Sequence, residues 1–134
     1  MLTSAEVVYL DSSALVKLAV EEPETAALRR HLRHRGPRVS CAIARVEVVR
    51  AVRRHRSGTA GTARAVLAEI DLVAVDDVLL DAAAELAPLD LRSLDAIHVA
   101  AAMALGGRLE AVVTYDDRMR AAAIALGLPV VSPR

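Results

Sequence analysis

Four acidic side chains stand where an α/β fold could gather them. Asp11 directly follows the run VVYL, and Asp116 comes two residues after Thr114, which ends AVVT. Asp95 sits in the first turn of SLDAIHVAAAMALG, and Glu47 lies between Val46 and Val48 in an arginine-rich stretch. Two carboxylates about 4 Å apart repel by roughly 4 kcal/mol at an effective dielectric near 20, so a converging set needs a cation. All-oxygen ligation favours Mg²⁺ or Mn²⁺. Such an ion activates water and neutralises charge on a scissile phosphate. Each acid also has a plainer use. Asp11 suits a helix N-cap, Asp95 and Asp116 complement helix dipoles, and Glu47 could pair with Arg50 one turn on. Their shared logic of placement favours the metal-dependent chemistry over four separate explanations.

The elements that must hold these acids show in the hydrophobic pattern. Short Val-rich runs at 7–10, 38–41, 72–75, 111–114 and 129–132 predict five strands. Helices are predicted between them, over 12–20, 23–35, 42–56, 60–70, 77–87, 93–106 and 116–127. Asp11 or Ser12 would cap the first, Pro23 suits the first turn of the second, and Gly36, Ser57-Gly58 and Gly106-Gly107 supply stops. Unbroken apolar strands alternating with helices mark a buried parallel sheet. The expected fold is therefore an α/β, three-layer α/β/α sandwich around a central, mostly parallel five-stranded sheet. Sites in such folds form outside the carboxyl ends of the strands, where Asp11 and Asp116 fall.

Composition narrows the class. A length of 134 residues fits a single domain, 1–134, with one core. There is no Phe and no Trp, only Tyr9 and Tyr115, so packing must come from Ala, Val, Leu and Ile. Cys41 is the only cysteine, which excludes an internal disulfide; it reads as a small buried hydrophobe at a strand end. The first residues lack a basic segment with a cleavage site, and AIHVAAAMAL is too short to span a bilayer. A cytoplasmic protein with no membrane partner is expected. The zero net charge conceals a segregation: residues 1–28 carry −4, 29–64 carry +10 and 65–134 carry −6. The arginines are either solvated helix faces or a phosphate-facing wall beside the acidic site.

Other chemistries fit less well. His98, one turn after Asp95, reads as a packed histidine, with support of the acids as the alternative. His31 and His34 lie among arginines and read as a solvated basic face. No glycine-rich phosphate loop opens a helix, and no Cys/His set suggests zinc. A phosphatase with an aspartyl nucleophile would want an acid where Ser13 stands. A phosphoacceptor receiver would want a late lysine, but Lys17 is the only Lys.

The strings LDSSALVKL, ARVEVVRA, RSLDAIHVA and VVTYDDRM resemble the motifs of the PIN-domain family, most of all its VapC-type toxin ribonucleases. The resemblance covers essentially the whole chain, with the motifs in order. It implies a Mg²⁺- or Mn²⁺-dependent endoribonuclease, usually a homodimer, held inactive by a cognate antitoxin. Carried over by position, Asp11, Glu47, Asp95 and Asp116 form the catalytic acidic quartet, with Asp11, Asp95 and Asp116 as metal ligands. Ser13 and Thr114 match hydroxyl positions that orient carboxylates or water, and Asp117 competes with Asp116 for its place. Arg50, Arg53 and Arg54 are candidates to hold RNA. Without Phe or Trp, recognition should lean on arginines and folded RNA shape rather than on aromatic stacking. The alternative is a catalytically silent RNA- or protein-binding module whose acidic pocket receives a partner's arginine.

Overall fold

The computed structural model describes residues 6–134. The sequence reading of residues 1–5 as free of a targeting segment lies outside them. Five strands, β1 (Val7–Leu10), β2 (Arg38–Cys41), β3 (Asp71–Val73), β4 (Leu109–Val113) and β5 (Val130–Val131), form one sheet in the order β3-β2-β1-β4-β5. Every pairing is parallel, so the expected mostly parallel sheet is parallel throughout. Seven α-helices cover it: α1 (Ser12–Ala19), α2 (Thr25–Leu32), α3 (Ala44–Arg53), α4 (Ala60–Leu67), α5 (Asp77–Ala84), α6 (Ser93–Ala104) and α7 (Asp117–Ala125).

The central strand explains the layering. Successive strand residues point to opposite faces. Val8 and Leu10 pack with Leu15, Leu28, Val48 and Leu67 from α1 to α4, whereas Val7 and Tyr9 pack with Leu79, Val99 and Met119 from α5 to α7. Both faces of β1 are thus dry, which is why it reads as an unbroken apolar run. Each fully buried Leu or Val contributes roughly 2 kcal/mol. Tyr9 brings the one hydroxyl of that strand into the dry interior, where it must find a partner; the partner is His98.

The helices are shorter than their apolar patterns predict. The second starts at Thr25 rather than Pro23, because the Thr25 hydroxyl accepts the Glu22 N–H and donates to the Lys17 carbonyl, binding the turn to α1. It ends at Leu32, since the chain needs 33–37 to turn into β2. Gly36 lies in that turn, where a Cβ would strike the Glu6 carbonyl at the entrance to β1. Asp11, not Ser12, caps α1. Gly106, with φ of 56°, ends α6 as expected.

Candidate active site

The strand order reverses at β1. The chain leaves β1 into α1 on one face of the sheet and leaves β4 into α7 on the other. The carboxyl ends of these neighbours form the switch point where doubly wound sheets build their sites. Asp11, Thr114 and Asp116 stand there because each follows one of the two strands.

Asp11 is 3% exposed and clamps the two strands together. Its Oδ1 accepts from the Ser13 hydroxyl at 2.6 Å and the Ala14 N–H at 3.0 Å, and its Oδ2 accepts from the Thr114 hydroxyl at 2.6 Å. The hydroxyls are themselves fixed: Ser13 Oγ accepts the Tyr115 N–H and Thr114 Oγ1 accepts the Asp116 N–H. Their protons are left to the carboxylate. Burial raises the Asp11 pKa, while these hydrogen bonds and the charge of His98 act against the rise. Ser13 and Thr114 thus each donate a hydroxyl proton to the Asp11 carboxylate.

Asp95 and Asp116 meet through a residue that sequence reasoning passed over. Arg92 donates from Nε to Asp95 Oδ2 at 2.8 Å and from a terminal nitrogen to Asp116 Oδ2 at 2.6 Å. Asp116 spends Oδ1 on capping α7, accepting from the N–H groups of Arg118 and Met119. Asp117 is exposed in the first turn of α7, and Asp116 is the member of the pair tied to Arg92. Arg92, rather than Ser93, occupies the N-cap position of α6 and makes no capping bond with its side chain. The plain readings of three of these acids describe what the structure shows. Asp11 and Asp116 do cap helices and Asp95 does sit in a first turn, so three helix N-termini direct positive dipole ends at one negative pocket.

Glu47 is held from a different side. Its Oε1 accepts from Ser12 Oγ at 2.7 Å and lies 2.8 Å from His98 Nε2. Its partner is His98, 51 residues away, and not Arg50. His98 is 2% exposed, with Nδ1 placed 2.7 Å from Tyr9 Oη and 3.6 Å from Cys41 Sγ. Burial opposes its charge, but the contacts with Cys41 and Glu47 outweigh burial and lift its pKa to about 10. As an imidazolium it donates from both nitrogens. Burial also works to raise the Glu47 pKa, and hydrogen bonds from His98 and Ser12 bring it below the usual value. His98 is packed, as the sequence suggested, and also supports an acid of the quartet. Its signal was its place one turn after Asp95; nothing local pointed to Ser12 or Cys41.

Two cations therefore hold three of the four acids, Arg92 pairing with Asp95 and Asp116 and His98 with Glu47, while Asp11 is held by two hydroxyls and a backbone N–H. Among the described residues, no three Asp, Glu, His or Cys side chains surround a common point at ligand spacing. The arginine-rich segment is divided as well. Arg50, Arg53 and Arg54 are exposed on or just after α3, which starts beside the pocket with Glu47 in its first turn. At 1.5 Å rise per residue, Arg53 lies roughly 9 Å further along the axis than Glu47. Arg29, Arg33 and Arg38 instead line a separate cleft of about 470 Å³ at the amino end of β2. Neither tyrosine offers a stacking face, because Tyr9 is buried and Lys17 lies 4.8 Å over the Tyr115 ring.

The structure is a doubly wound parallel α/β protein with acidic side chains at its switch point. The model of the PIN domain matches residues 8–125, nearly the whole of that architecture. The chain is 55% identical to Ribonuclease VapC46 of Mycobacterium tuberculosis over 94% of its own length and 97% of that protein's. It is 42% identical to Ribonuclease VapC35 of the same species, with 94% and 96% covered. The crystal structure of M. tuberculosis VapC20, described as a sarcin-ricin loop cleaving toxin, shares the fold with a TM-score of 0.73 at 18% identity, covering 94% of this chain and 99% of that one. The chain belongs to the PIN-domain family, within its VapC group. No helix among the described residues is long and apolar enough to cross a membrane.

Proposed function

We infer that the protein is a metal-dependent endoribonuclease that hydrolyses phosphodiester bonds in RNA and acts as the toxin of a toxin–antitoxin pair. The observation that carries this reading is the gathering of Asp11, Asp95 and Asp116 at one switch point, in a chain whose relatives are named ribonucleases. The chemistry of the donor set, carboxylate oxygens alone, suits a hard divalent ion, although the three acids do not surround a common point while Arg92 stands between two of them. Asp95 and Asp116 already present their Oδ2 atoms to one cationic group. Four carboxylates set against Arg92 and His98 leave about two uncompensated negative charges, the charge that one divalent ion neutralises.

Asp95, Asp116 and Asp11 would hold Mg²⁺ or Mn²⁺, which supplies an activated water and offsets charge on the phosphate. The residues of the chain do the rest. Ser13 and Thr114 fix Asp11 and favour its carboxylate form against the effect of burial, which preorganises the site. His98 and Ser12 keep Glu47 ionised, ready to accept a hydrogen bond from the attacking water. The expected partners are RNA, a cognate antitoxin and a second copy of the chain in a homodimer, all within the cytoplasm. The test is incubation of the purified protein with RNA in Mg²⁺, Mn²⁺ or chelator, with the cut ends mapped. Cleavage that disappears with chelator and returns with metal supports the reading. Undiminished RNA binding with no cleavage in any metal would favour the silent module, whose arginine-receiving pocket has a precedent in the Arg92 contacts.

The exposed arginines of α3 lead away from the pocket along a line that RNA phosphates could follow. Reversing the charge of Arg50 and Arg53 to Glu should weaken RNA binding. It should also flatten the dependence of log affinity on log salt by about 1.4–1.8, since roughly 0.7–0.9 counterions are released per phosphate contact. A slope unchanged from the parent would assign these residues to the solvated face.

A further inference from the structure

We propose that Arg92 is a built-in occupant of the cation site, so that its guanidinium and a divalent metal ion exclude one another between Asp95 and Asp116. The proposal rests on the reading of those two acids as metal ligands. Asp95 is 9% exposed, and a carboxylate so buried requires a positive partner. Arg92 supplies it, and one planar guanidinium spans both acids. Because Asp116 Oδ1 already accepts two backbone N–H groups, Oδ2 is the oxygen it has left for a cation, and Arg92 holds it. Asp95 also gives its Oδ2 to the guanidinium. A metal ion drawing on these oxygens and the guanidinium would stand at one position with like charge.

The arrangement also lets Arg92 leave. Its side chain is 56% exposed, and at the N-cap position of α6 it makes no capping bond that its departure would break. Swinging outward exchanges two charge-assisted hydrogen bonds for water and opens no cavity. Without metal, the fold is thus spared the repulsion between Asp95 and Asp116. With metal, the arginine must be displaced, and the apparent affinity for metal falls by the fraction of molecules in which the site stands open.

The experiment is Mn²⁺ titration calorimetry on the parent, Arg92→Gln and Arg92→Lys, with thermal unfolding in chelator and in Mn²⁺. Arg92→Gln should bind Mn²⁺ at least about five-fold more tightly, as removal of a competing occupant requires. It should unfold at a lower temperature in chelator and gain more from Mn²⁺ than the parent does. Arg92→Lys, a point charge that cannot bridge both acids, should fall between. If Arg92 merely supported the fold, its loss would lower stability in chelator and leave Mn²⁺ affinity equal or weaker, and exclusion would be overturned with the ligand assignment intact. If none of the proteins bound Mn²⁺, the ligand assignment would fall and the proposal with it. The unaltered protein gives a second readout: an arginine-selective dicarbonyl reagent should modify Arg92 faster in Mn²⁺ than in chelator, and equal rates would also overturn the proposal.

Discussion

Replacing Asp11 with Asn should reduce RNA cleavage by on the order of a thousand-fold, the loss expected when ~4 kcal/mol of transition-state stabilisation is removed. The fold should survive. Asn keeps an oxygen for the Ser13 hydroxyl and the Ala14 N–H, and its amide can face Thr114, whose hydroxyl proton then needs another acceptor. Electrostatics add a gain. Burial holds the Asp11 pKa above its ordinary value, so the ionised side chain opposes folding at neutral pH. In chelator, then, Asp11→Asn should be at least as stable as the parent near pH 7. That advantage should shrink as the pH falls and the parent's Asp11 takes up its proton. Cleavage kinetics and urea unfolding at pH 4.5 and pH 7 measure both halves. Activity within ten-fold of the parent at limiting Mg²⁺ would remove Asp11 from the ligand set.

The second large effect concerns the buried pair behind the pocket. His98, with its pKa lifted to about 10, stabilises the fold fully below its ordinary value of 6.5 and loses that contribution as the pH rises through 10. Glu47, with its pKa lowered, contributes above the usual carboxylate range and loses its share as the pH falls through the depressed value. Together they predict a stability plateau from about pH 4.5 to 6.5, bounded by the model values of the two groups. Glu47→Gln removes the counter-charge of an imidazole that is 2% exposed. It should cost about 2 kcal/mol on the plateau and flatten the decline toward pH 10, because His98 then sheds its proton without loss. Denaturation midpoints across pH, taken in chelator, check this; parallel curves for parent and variant would mean that His98 is neutral in the folded protein.

What the sequence revealed and what it hid divide along the range of the interactions. β1 was readable because a strand buried on both faces is an unbroken apolar run, and Asp11, its first polar successor, marks the sheet edge. Asp116 was readable for the same reason at β4, although that strand begins earlier than expected, at Leu109, with the polar Glu110 masking its start. The helix ends were overextended because Ala, Leu and Arg keep favouring helix where the tertiary structure needs a turn, as in 33–37 before β2. The partner of Glu47 could not be read locally: Arg50 is adjacent along the helix, whereas His98 arrives from across the sheet. Arg92 was hidden in plain view inside RSLDAIHVA, since a residue before a helix start usually counts as boundary rather than as site.

The clamp on Asp11 has a consequence for how the protein is made. The carboxylate at the end of the first strand waits for the hydroxyl of Thr114, 103 residues further on, and β1 finds β4 only after β2, β3 and six α-helices have been synthesised. Contacts of such wide sequence separation form late, after the loop-closure entropy of the intervening chain has been met. A nascent chain that has reached β3 but not β4 has Asp11 and Glu47 but neither Thr114 nor Asp116. A chain synthesised only as far as β3 is therefore expected to show no cleavage, because Asp11 has not met Thr114 and Asp116 has not been added.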